Sequence, residues 1–179
     1  MKKLITMVIM MTTMLANADI TNDFDNAEAL YLNQNYNGAV VAFEKLITDY
    51  PTANKDILAS AQYDIGQCYK YTRDYSAAAI AYNKVIADYP DAENSILARA
   101  QCGIGHCLIA QGKNGDEAYL AMLKYGDNNI LRSLIDKVAA TMSVENYIKF
   151  LTRVLMVVSA TEENSEFLGK VKSKLELLK

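Results

Sequence analysis

Two thiols and an imidazole lie within the six residues CGIGHC, where Cys102, His106 and Cys107 put soft metal ligands and nucleophiles side by side. A C-x3-H-C cluster of this kind is chemically equipped for metal or haem ligation, or for thiol exchange with the imidazole as base. Little else in the chain supports catalysis. His106 is the single histidine, tryptophan is absent, and there is neither a glycine-rich phosphate loop nor a further cluster at metal-ligand spacing. On one helix, Cys102 and Cys107 stand about 7.5 Å apart along the axis and about 140° around it, outside disulfide range.

The element carrying this patch is one copy of a repeat. Tyr75 falls on Tyr36, Pro90 on Pro51 and Cys107 on Cys68, each 39 residues apart, and 17 of the 33 positions from Tyr36 to Cys68 recur identically. Each copy holds two stretches with apolar residues at three and four spacing, such as Ile57, Leu58, Ala61, Ile65, Cys68 and then Ala78, Ala79, Tyr82, Val85, Ile86, so each is expected to be two helices. Asn35 and Asp74 offer side-chain oxygens to N-cap the second helix. Pro51 and Pro90 then end it, because proline lacks the amide donor and clashes with the preceding turn.

The spacing resembles the tetratricopeptide repeat, W-x2-L-G-x2-Y followed by A-x3-F and P. Gln62, Ile65, Gly66, Tyr69, Ala78, Tyr82 and Pro90 meet it, with only the tryptophan missing. The preceding copy offers Ala27, Leu30, Ala39, Phe43 and Pro51. The following copy offers Gln101, Ile104, Gly105, Leu108, Ala118 and Met122, with one residue inserted near Gly112 to Gly115 and no terminal proline. The resemblance implies an all-α, right-handed solenoid of helical hairpins in units of about 20–53, 54–92 and 93–127. Gly66 and Ala78 are expected to let backbones approach while Tyr69 and Tyr82 fill the spaces between hairpins. In this register Cys68 and Cys107 lie beside the close-packed glycine and are expected to be buried. No metal, cofactor or catalytic residue is expected; a thiol-redox or metal-binding role centred on Cys102, His106 and Cys107 stays open as the alternative.

The same resemblance implies a protein-binding groove lined by the first helix of each unit, at Glu28, Tyr31, Tyr63, Gln67, Lys70, Tyr71, Arg99, Cys102 and His106. Tyrosine and arginine are frequent interface anchors, and packing between repeats is the competing role for the tyrosines. The long units with YP ends behind a leader are similar to periplasmic repeats of Tol-Pal-associated division coordinators and of the outer-membrane-assembly lipoprotein. The implied partner is an envelope protein or peptide segment.

Lys2 and Lys3 followed by the apolar run Leu4–Leu15 and then Ala16–Ala18 read as a signal peptide over residues 1–18, cut before Asp19, which places the mature chain in the periplasm or outside the cell. The run is too short to span a bilayer. Removing the two lysines takes the formal charge from −3 to −5, which disfavours nucleic acid as a partner. A composition of 51% hydrophobic and 22% charged residues is that of a packed globular protein. Residues 128–179 leave the repeat but keep helical period over Ile130–Val138, Val144–Val158 and Phe167–Leu178, with Ser143 and Thr161 as N-caps, and are expected to form a helical cap. The apolar breadth of Val144–Ala160 also leaves open a homo-oligomer formed through these helices.

Overall fold

The computed structural model describes residues 19–122, 125, 143–158 and 162–178. The leader, the helix expected over Ile130–Val138, the Thr161 cap and the end of the third repeat lie outside these residues. All regular structure among the described residues is helical: α1 (19–32), α2 (Tyr36–Asp49), α3 (Lys55–Tyr71), α4 (Tyr75–Asp88), α5 (Asn94–Ala110), α6 (Asp116–Met122), α7 (Val144–Val157) and α8 (Glu162–Leu177). Consecutive helices pack as hairpins, the architecture of a tetratricopeptide-like α-solenoid followed by further helices. No helix among the described residues is long and apolar enough to cross a membrane. The chain forms two compact units that divide between Ala92 and Glu93.

In the first unit the local signals act as their chemistry dictates. Asn35 Oδ1 accepts from Gly38 N at 3.1 Å and Asp74 Oδ1 from Ala77 N at 2.9 Å, each satisfying an amide that the first turn of α2 or α4 leaves without a backbone partner. Tyr50 and Tyr89 leave helical geometry at φ −120°, ψ 54° and φ −128°, ψ 53°, as a residue before proline must to avoid its ring. The turns closing α1 and α3 share one hydrogen-bond pattern. Gln34 N donates to Tyr31 O and Asn35 N to Leu30 O; 39 residues on, Arg73 N donates to Lys70 O and Asp74 N to Tyr69 O. This is the Schellman end of a helix, and Gln34 and Arg73 adopt its left-handed residue at φ 61° and 65° without being glycine.

The core of this unit is built from Ile20, Ala27, Ala39, Phe43, Leu46, Leu58, Ala61, Ile65, Cys68 and Ala81. At Gly66 an added Cβ would stand 2.4 Å from Cε1 of the fully buried Tyr82, so α3 offers a bare backbone to an aromatic ring from α4. Tyr82 therefore fills the interior of its own hairpin, whereas the resemblance placed it between hairpins. Tyr69 packs against the core from its edge.

In the second unit the turn after α5 repeats the pattern again, with Gly112 N donating to Ile109 O, Lys113 N to Leu108 O, and φ 71° at Gly112. The inserted residue acts after that point. α6 begins at Asp116, and Gly115 lies so close to α5 that its Cβ would meet the Gly105 carbonyl oxygen at 2.6 Å. The ring over Gly105 is consequently Tyr119, which a Cβ at Gly105 would meet at 2.6 Å. The repeat register placed Met122 there. Tyr119 lies three residues earlier, and Met122 is buried in the core with Phe150, Leu151, Val154 and Phe167. α7, capped by Ser143 Oγ accepting from Asn146 N, buries Tyr147, Phe150, Leu151 and Val154 along one stripe while Val144, Glu145 and Met156 are exposed. It is one-sided rather than apolar around most of its circumference.

Candidate protein-binding face

Six of the nine groove residues belong to the first unit. Glu28 is exposed on α1, and Tyr31 follows it on the same helix, half-buried. On α3, Tyr63, Gln67, Lys70 and Tyr71 recur at four, three and one, so they run along one side of the helix. The fold ties α1 to α3 at the end of this stripe. Tyr31 meets Tyr71 edge-on with ring centroids 5.8 Å apart, and Tyr36, at the start of α2, stacks on Tyr71 at 5.4 Å with the planes 6° apart. Tyr31 also meets Tyr36 edge-on at 5.8 Å. The Lys70 ammonium stands 5.4 Å from the centre of the Tyr71 ring, within reach of a cation–π attraction.

Burial, then a hydrogen bond with Tyr71, pushes the Tyr31 phenol well above its ordinary range, so it serves as a neutral hydrogen-bonding group. Tyr71 nevertheless keeps 54% of its surface in solvent. A large aromatic side chain braced on two sides and open on the third loses little conformational freedom when a partner covers it. Tyr63 is different. It is half-buried, its ring lies 5.5 Å from that of Tyr82, and its hydroxyl accepts from Gln67 Nε2.

Arg99, Cys102 and His106 belong to α5 in the second unit. Arg99 is exposed, with Nε 3.4 Å from the Ser95 carbonyl oxygen. Cys102 is half-buried with Sγ 3.7 Å from His106 Nδ1, and the exposed His106 ring meets Tyr119 edge-on at 5.8 Å. Cys107 points away into the core, as Cys68 does in the first unit. Burial, reinforced by the nearby Asp64 carboxylate, pushes the Cys68 thiol up to about 12, which keeps it protonated and unreactive. Among the described residues there is no disulfide and no group of three or more His, Cys, Asp or Glu side chains placed to hold a metal.

Sequence reasoning used Tyr36 only as a marker of the repeat and passed over Tyr119. Both make contacts that depend on which residues other helices bring near. The recurrence of Tyr36 as Tyr75 was the available signal that an aromatic is wanted at the start of the second helix.

Comparison with known proteins agrees with this geometry over the first unit. No curated protein and no solved structure matches the chain. Residues 27–53 and 60–92 match the tetratricopeptide repeat family model, one segment over most of α1 and α2 and the next over α3 and α4, and these matches support a tetratricopeptide repeat protein.

Proposed function

We propose that this chain is an exported scaffold that holds a protein partner in the cell envelope, in its assembly or division, through the α1 and α3 face of its first unit. The observation carrying this reading is the tyrosine cluster at Tyr31, Tyr36 and Tyr71, with Tyr71 braced but open to solvent and Lys70 beside it. Tetratricopeptide units characteristically bind protein segments, and aromatic side chains with a polar tip are favoured anchors at such interfaces. The export part of the reading rests on Lys2, Lys3, the apolar Leu4–Leu15 run and Ala16–Ala18.

A photo-crosslinking amino acid at position 71, in the full chain expressed in its own cells, should yield one dominant envelope-protein adduct. The same amino acid at Val41, exposed on α2, should not. Tyr71→Ala with Lys70→Ala should remove co-purification of that partner while far-UV circular dichroism is unchanged. Equal crosslinking at both positions, or full binding by the folded double variant, would refute the assignment of the face. Recovery of the mature chain from the cytoplasm, with residues 1–18 intact, would refute export.

A further inference from the structure

The Cys102 and His106 pair occupies, 39 residues on, the positions that Tyr63 and Gln67 hold in the preceding unit. The surroundings are conserved in kind. Tyr63 and Gln67 are joined by a hydrogen bond beside Tyr82, the ring over Gly66; Cys102 and His106 are joined beside Tyr119, the ring over Gly105. One unit thus carries a polar pair without nucleophilic chemistry, and the other, in the same setting, carries a thiol and a base. We infer that Cys102 is a thiol-exchange site that forms a mixed disulfide with the disulfide of a small thiol, with His106 as its base.

The geometry separates Cys102 from the other two cysteines. Cys68 and Cys107 have no exposed surface, whereas Cys102 is partly exposed on the side of α5 that also carries Arg99 and His106. His106 Nδ1, at 3.7 Å, can take the thiol proton, and the edge-on contact with Tyr119 restrains the ring in that orientation. The thiolate then attacks one sulfur of the small disulfide, that S–S bond breaks as the Cys102 S–S bond forms, and the departing thiolate takes up the proton held by His106. One disulfide is exchanged for another, so no further oxidant is needed. A residue that both accepts the proton and returns it explains why a base beside the thiol matters more than a fixed positive charge.

The test uses the full, folded chain with Ellman's reagent and, separately, with oxidised glutathione. One thiol per chain should react rapidly with Ellman's reagent, about tenfold faster than free glutathione under the same conditions, and peptide mapping after oxidised glutathione should place the adduct on Cys102. Cys102→Ser should abolish the rapid phase. His106→Gln, which installs the residue found at the equivalent position of the preceding unit, should slow it about tenfold while circular dichroism stays at the parent level. A Cys102 rate at or below that of glutathione, an adduct on another cysteine, or a folded His106→Gln variant reacting as fast as the parent overturns the inference. Should His106→Gln lose helical content, His106→Asn is measured in its place against the same criterion.

Discussion

The Tyr82 ring lies over Gly66 so closely that any side chain at position 66 would need to occupy space the ring already fills, with Cε1 2.4 Å from where a Cβ would stand. Tyr82 is fully buried and cannot swing aside. Gly66→Ala should therefore destabilise the protein by about 1–3 kcal/mol, the usual cost of overpacking, despite alanine's better helix propensity. Adding Tyr82→Leu should recover part of that loss, and a denaturant-unfolding double-mutant cycle measures the coupling. Gly169 on α8 is the control: nothing stands within 4 Å of its Cβ position, so Gly169→Ala should stabilise by about 0.5–1 kcal/mol.

Arg73 and Gln34 adopt left-handed backbone that glycine adopts without a steric penalty. Arg73→Gly should stabilise the first unit by about 0.5–1 kcal/mol, the relief of left-handed strain offset by glycine's greater freedom in the unfolded chain. Gly112→Ala should have the opposite sign at φ 71° although its Cβ would meet nothing. Thermal midpoints of the single variants check both signs.

Loss of the caps should be felt at the starts of α2 and α4. Asp74→Ala removes the acceptor for Ala77 N and should cost about 1 kcal/mol, whereas Asp74→Asn, which keeps an acceptor, should cost less. Urea midpoints of the two variants distinguish the cap from a general charge effect.

Asp116 supplies a pH dependence. It is a buried carboxylate with Oδ1 lacking a hydrogen-bond partner, and burial pushes its pKa up against the opposing effects of Asn114 and Arg153. A carboxyl group whose folded pKa is raised adds stability that is complete below its unfolded pKa of about 3.9 and is lost as pH rises through the folded value. Asp116→Asn should thus be more stable than the parent at pH 7, with the difference shrinking or reversing near pH 3. The gap between parent and variant midpoints at the two pH values tests this. An unchanged gap would show that Asp116 titrates alike in the folded and unfolded chain.

Much of the fold was legible because its determinants are local. The 39-residue recurrence, the oxygen side chains at Asn35, Asp74 and Ser143, and the prolines after Tyr50 and Tyr89 act within a turn or two of themselves, so their types and spacing suffice to locate helices and their ends. The burial of Cys68 and Cys107 was legible for a related reason, since a residue two positions after a close-packed glycine in each copy must face the same interior. Other features required the tertiary structure. One inserted residue near Gly112–Gly115 changes where α6 begins, and a change of that size rotates every later side chain by about 100°, so Tyr119 rather than Met122 covers Gly105. The stacking of Tyr36 on Tyr71 and the pairing of Cys102 with the imidazole beside Tyr119 likewise depend on which helices the packed chain brings together. Sequence period assigns a side chain to a face of its own helix; only packing decides which side chain from another helix it meets there.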